Sequence, residues 1–250
     1  MSALVLLHGF TGAPSSWDAV VERLPRSLRI ARPALMGHAG APSTARSFDE
    51  EVDRLAEILR SEDLAGAHVV GYSLGARVAL GLVARHPAIA SRATFLSGSP
   101  GLRDEHERFA RREADRVRAR TLETEGIDAF VDAWEREPIF ATQSALPGDV
   151  RSAHRARRQS HDPGGLAASL RVLGQGSMPA YELARIQIPI TLVVGSEDPK
   201  ARGHAQRMAE SLSDARIVVL RGAGHDLVLE RPAEVAALLT DDRGERSETP

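Results

Sequence analysis

The chain has 250 residues, 42% of them hydrophobic, and a formal net charge of −2. That length suits one domain with room for an inserted subdomain, and the balanced charge gives no basis for nucleic acid or an anionic membrane as a partner. There are no cysteines, which excludes disulfides and thiolate metal sites, and Lys200 is the only lysine beside many arginines.

The opening MSALVLLHGF lacks a basic region, and its apolar run is too short for a signal peptide or a membrane span, so a cytoplasmic location is expected. Its ALVLL (3–7) reads as a buried strand, SWDAVVERL (16–24) as a helix and LRIAR (28–32) as a second buried strand. SFDEEVDRLAEILRSE (47–62) reads as a helix opened by a capping box, with Ser47 followed three residues on by Glu50. AHVVG (67–71), LGARVALGLVARH (74–86) and ATFLS (93–97) continue as strand, helix, strand. From Gly101 to Ile186 no strand is expected; 103–126, 128–137 and 149–160 read as charged helices, and the stretch is too long for a plain crossover. PITLVV (189–194), ARGHAQRMAESL (201–212), ARIVVL (215–220) and PAEVAALLT (232–240) resume the alternation. The polar 241–250 reads as a disordered tail.

Strands alternating with helices indicate an α/β protein: a parallel sheet of about six strands with helices on both faces. The core is expected over 1–100 and 187–240, with 101–186 inserted as a helical cap. No internal repeat is present, and the oligomeric state is left open.

Gly71-Tyr72-Ser73-Leu74-Gly75 fits G-x-S-x-G between a strand and a helix. The glycines permit a sharp turn, Ser73 projects from the strand end, and the Leu74 amide can face a developing oxyanion. A serine so placed needs a histidine, and the histidine an acid, in the chain order Ser, acid, His. His225 follows the sixth expected strand; Asp198 and Glu197 both follow the fifth, at strand ends where parallel sheets gather ligand sites. Asp226 is too close in sequence to orient His225 easily. His8-Gly9-Phe10-Thr11-Gly12 follows the first strand, so the Phe10 amide can complete an oxyanion hole with that of Leu74, while His8 reads as a structural hydrogen-bonding residue. His38, His68, His86, His106, His154, His161 and His204 read as structural or solvent-facing, and no cluster has metal-ligand spacing.

HGFTG, GYSLG, GSED and GAGH, in this order, resemble the α/β-hydrolase fold over nearly the whole chain, without its usual first two strands. SGSPGL (97–102), FVDAWEREPIFATQ (130–143), RRQSHDPGGLAASLR (157–171) and GQGSMPAYEL (174–183) further resemble the 2-succinyl-6-hydroxy-2,4-cyclohexadiene-1-carboxylate (SHCHC) synthases of menaquinone biosynthesis. The resemblance selects Asp198 over Glu197. It implies that Ser73, His225 and Asp198 abstract a proton beside a succinyl ketone, that the oxyanion hole holds the enolate, and that pyruvate leaves by 2,5-elimination without metal or organic cofactor. It also assigns Tyr72, Arg77, Arg111, Trp134 and Arg158 to binding a small tricarboxylate substrate, with Arg112 and Arg157 as the neighbours a one-position slip would select. The sequence departs from the family pattern at Ala34, Ala76, Ala201 and Val228. Two other readings use the same residues: a serine hydrolase that forms an acyl-enzyme, and a ligand receptor without turnover.

Overall fold

The computed structural model describes residues 3–241, so all of the expected tail except Asp241 lies outside the described residues. Six strands, β1 (Ala3–Leu7), β2 (Arg29–Ala31), β3 (Ala67–Tyr72), β4 (Ala90–Leu96), β5 (Ile190–Gly195) and β6 (Ala215–Leu220), form one sheet in the order β2-β1-β3-β4-β5-β6. Every pairing is parallel. In chain order the helices are α1 (Asp18–Val21), α2 (Phe48–Ser61), α3 (Leu74–Arg85), α4 (Glu105–Thr124), α5 (Gly126–Trp134), α6 (Gly148–Gln159), α7 (Pro163–Leu173), α8 (Pro199–Ser211), α9 (Leu227–Glu230) and α10 (Pro232–Thr240). Two apolar layers sandwich the sheet: one packs α2, α3 and α8 on one face, and the other packs Trp17, Val20, Leu227 and α10 on the opposite face. Among the described residues no helix is long and apolar enough to cross a membrane.

Strand burial follows position in the sheet. β3 is buried along its whole length, as a central strand with both faces covered must be. The expectation of burial fails for β2 and β6, which close the two edges; on β6 Ile217 and Val219 remain 39% and 49% exposed. An edge strand lacks a neighbour on one side, and apolar composition alone cannot report that. The helix expected over 16–24 shrinks to a 3-10 turn at Pro14–Trp17 and the four residues of α1, because Pro25 blocks continuation. The capping box of α2 forms by half. The Glu50 N–H donates to Ser47 Oγ at 3.1 Å, but the Glu50 carboxylate accepts instead from the Arg46 N–H at 2.8 Å.

Four helices, α4 to α7, lie between β4 and β5 with their own small core of Ala119, Leu122, Phe130, Val131, Leu166 and Leu170. α7 is not among the helices expected from the sequence. Asp162 caps it, accepting from the Gly165 N–H at 2.6 Å, and Pro163 occupies the first turn, where a missing N–H costs nothing.

Candidate active site

The turn from β3 into α3 puts Ser73 at φ +51° and ψ −105°, a conformation that non-glycine residues adopt only when the surroundings enforce it. Here the enforcement is close packing. A Cβ on Gly71 would lie 2.2 Å from the Gly75 carbonyl oxygen, and one on Gly75 would lie 2.2 Å from that of Leu7. Only glycines let the strand end, the helix start and the tip of β1 approach so closely. Leu74 opens α3, so its N–H has no acceptor one turn back in the helix.

Ser73 Oγ lies 3.0 Å from His225 Nε2, and His225 Nδ1 lies 2.6 Å from Asp198 Oδ2. With the Nδ1 proton directed at the carboxylate, Nε2 is free to accept the serine proton. Asp198 is fixed in turn, since its other oxygen accepts from the Ala201 N–H at 2.9 Å at the start of α8. Burial pushes the Asp198 carboxyl up, but the His225 hydrogen bond and the Ala201 N–H outweigh it and hold the group below its ordinary value. Glu197 turns away and accepts from the Ser196 hydroxyl at 2.8 Å. Asp226 caps α9 through the Leu229 N–H at 3.1 Å.

Two residues that sequence reasoning missed hold the His225 loop. Ser97 Oγ donates to the His225 carbonyl at 2.7 Å. The buried Glu230 carboxylate accepts from the Gly224 N–H at 2.7 Å and the Asp226 N–H at 3.3 Å, the two amides flanking His225, and from Thr142 Oγ1 at 3.0 Å. Glu230 lies five positions after His225, which was the only signal available, and nothing in a single sequence ranks it above neighbouring acids.

One pocket contains Ser73, Asp198 and His225 together with Phe10, Leu74, Tyr72, Arg77, Arg111, Trp134 and Arg158. All ten expected site residues therefore meet. Tyr72 is buried 5.7 Å, centre to centre, from the His225 ring; burial and the Asp226 carboxylate push its hydroxyl up, keeping it a neutral donor. Arg77 is half-buried, and one of its nitrogens donates to the Leu173 carbonyl at 2.6 Å. Burial first, and then the positive Arg111, push its guanidinium down to about 10. Arg111 reaches the Asp115 carboxylate at 3.1 Å, whereas Arg112 leaves the pocket to bond the Gly176 carbonyl and Glu105. At the other ambiguous pair both arginines line the wall. Arg158 bonds Glu135 at 2.9 Å and lies 4.9 Å over the Phe140 ring, while Arg157 reaches Ser15 Oγ at 3.2 Å. Trp134 serves pocket and core at once, with Phe10, Phe130 and Phe140 around it at 5.4–5.8 Å between ring centres. Chemically, this is a hydroxyl whose proton can pass to a neighbouring imidazole, in a cleft lined by more cationic than acidic side chains.

His8 and His68 are two of the buried histidines that set an acid limit on this architecture. Burial pushes His8 down to about 4, and His68, which faces Thr94 Oγ1 at 2.8 Å, to about 3. Both values lie below the ordinary 6.5, so between them and 6.5 the unfolded chain binds more protons than the folded one. Their contribution is complete above about pH 6.5 and is lost as the pH falls; at pH 5 each histidine costs about 2 kcal/mol. Urea unfolding at pH 7 and pH 5 should therefore show a drop of at least about 4 kcal/mol, this pair's share, with His38, His154 and His204, also pushed down by burial, adding to it. A flat profile over that range would contradict burial of both rings in the neutral form.

The family model of the alpha/beta hydrolase family matches residues 4–238. The chain is 34% identical to a 2-succinyl-6-hydroxy-2,4-cyclohexadiene-1-carboxylate synthase from Enterobacter sp. strain 638, covering 94% of this chain and 89% of that one. It is 32% identical to a pimeloyl-[acyl-carrier protein] methyl ester esterase from Aromatoleum aromaticum, over 95% and 96% of the two chains. Its structure superposes on that of MenH from S. aureus with a TM-score of 0.91 and 29% identity, over 95% and 91% of the two chains.

Proposed function

The chain belongs to the alpha/beta hydrolase family and, within it, to the SHCHC synthases, and from that membership we propose how its residues work. The enzyme is a carbon–oxygen lyase that eliminates pyruvate from 2-succinyl-5-enolpyruvyl-6-hydroxy-3-cyclohexene-1-carboxylate. Ser73 passes its proton to His225 and, as an alkoxide, removes the ring proton beside the succinyl ketone. The Phe10 and Leu74 amides hold the enolate oxygen, and Asp198 stabilises the imidazolium that forms. The electron pair then moves through the ring double bond and breaks the bond to the enolpyruvyl oxygen. The departing enolate takes up the proton that His225 holds and becomes pyruvate, leaving the cyclohexadiene and returning the imidazole to its neutral form. Arg77, Arg111 and Arg158 bind the substrate's three carboxylates, with Tyr72 and Trp134 against its ring, and residues 101–186 close over the reaction as a cap. The substrate is small and anionic, and the enzyme works in the cytoplasm.

The observation that carries this reading beyond the family is the charge around the triad: Arg77 and Arg111 are close enough to oppose each other's charge inside a pocket that also holds Ser73. An uncharged ester would have no use for that cost. The likeness to the pimeloyl ester esterase favours a second reading, acyl transfer to Ser73. Incubating the purified protein with the enolpyruvyl substrate and following pyruvate with lactate dehydrogenase separates the two. Rapid pyruvate release with slow hydrolysis of a chromogenic ester is the expected result. No pyruvate, together with brisk ester turnover that survives Arg77→Ala, would establish the hydrolase instead.

A further inference from the structure

Phe10 sits in a tight turn, with the Gly12 N–H donating to the Gly9 carbonyl at 3.0 Å and Thr11 at φ +61°. A β-branched residue in the left-handed region is strained, so something must hold it there. Every side of Thr11 is gripped. Its N–H donates to His38 Nε2 at 3.2 Å, and its carbonyl lies 3.1 Å from His161 Nε2. Its hydroxyl donates to the Phe10 carbonyl at 2.6 Å. The Gly9 carbonyl faces His8 Nδ1 at 2.8 Å. With these groups engaged, the Phe10 N–H is left without an acceptor among the described residues.

The hydrogen bonds fix the protonation of both rings. His38 Nε2 accepts, so its proton is on Nδ1, facing the Met36 carbonyl at 2.9 Å. His161 Nδ1 accepts from the Ala39 N–H at 3.3 Å, so its proton is on Nε2, directed at Thr11. Ala39 is itself in the left-handed region at φ +48°. His161 belongs to the helical insert, one residue before the Asp162 cap of α7, whereas His38 and Thr11 belong to the core. The two rings meet edge to face, 5.4 Å apart between centres.

We infer that His38 and His161 are positioning residues: by clamping Thr11 from the core side and the insert side, they aim the Phe10 amide into the pocket, so seating the insert and completing the oxyanion site are one event. This rests on the role proposed above for the Phe10 amide. A clamp of this kind acts on the transition state, because the oxyanion forms only there.

The test uses the full chain with His161→Phe, which keeps a ring but neither hydrogen bond, and His161→Gln, which keeps a donor and an acceptor. Two rates are read: pyruvate release, and labelling of Ser73 by a fluorophosphonate, which needs the oxyanion site but not the natural substrate. His161→Phe should lower kcat about 10- to 100-fold with KM changed less than about threefold, slow labelling in parallel, and be rescued by His161→Gln to within about fivefold. Unchanged kcat and labelling in His161→Phe, or a loss confined to KM, overturns the clamp. If His161→Phe does not fold, nitrogen NMR of the wild-type rings at pH 7 decides: a proton on Nδ1 of His38 and on Nε2 of His161 supports the clamp, and any other pattern overturns it. Should the wild type release no pyruvate, labelling and NMR still judge the clamp, and only the assigned reaction fails.

Discussion

Ser73→Ala is expected to abolish pyruvate release, with kcat falling about 10³-fold or more while the substrate still binds. The reason is division of labour. The hydroxyl 3.0 Å from His225 Nε2 is the only group in the proposed scheme that touches the departing proton, whereas the charge that holds the substrate comes from arginines elsewhere in the pocket. Alanine removes one oxygen at a buried turn whose conformation is set by Gly71 and Gly75, so the fold should be unaffected. His225→Ala should cost a similar factor, and the double variant little more than either single one, because a base that works through a partner fails once when either is lost. Rapid-quench measurement of pyruvate, with calorimetric titration of substrate into Ser73→Ala, gives both numbers. Retention of a tenth of the wild-type rate in Ser73→Ala would remove the serine from the chemistry.

Arg77→Met should have the opposite signature, weakening binding about 10- to 100-fold, or about 1.5–3 kcal/mol, with a smaller effect on kcat. Methionine keeps most of the volume and deletes the charge. Arg77 is half-buried on the first turn of α3, bonded to the Leu173 carbonyl, with Arg111 adding repulsion and Asp115 only partly offsetting it. Such a charge is costly in the empty site and becomes favourable when a carboxylate arrives in the same low-dielectric pocket. The apo protein should therefore lose no more than about 1 kcal/mol, the value of the single hydrogen bond to Leu173. Substrate titration and thermal melts of the two proteins check both halves. Equal affinity in Arg77→Met would mean that no substrate carboxylate reaches this end of the pocket.

The triad was legible in the sequence because each member follows a strand, and strand ends in a parallel sheet converge on one edge. The choice of Asp198 over Glu197 was less legible. The two are adjacent, and only the turn into α8, where the Ala201 N–H binds Asp198, decides which carboxylate faces His225. Choosing among arginines was harder still. Arg111 and Arg112 differ by about 100° around α4, and the contact of Arg112 with Gly176 settles which one enters the pocket. Arg157 and Arg158, in the last turn of α6, both line the pocket. Glu230, Ser97, His38 and His161 were invisible as site residues because their partners are backbone groups distant in sequence or tucked into a turn.

By itself the sequence determined the parallel α/β architecture, the strand-free helical stretch between β4 and β5 and the turn that presents Ser73. These depend on local periodicity, on glycines that alone tolerate close backbone approach, and on a chain order read without knowing any contact. Only the tertiary structure decided what joins residues far apart: Ser73 to His225 across 152 positions, the insert's His161 to Thr11 across 150, and edge strands to solvent rather than to a neighbour. Such pairings are fixed by how packed layers meet, and a one-dimensional pattern of residue types does not encode which of several similar side chains arrives at the meeting point.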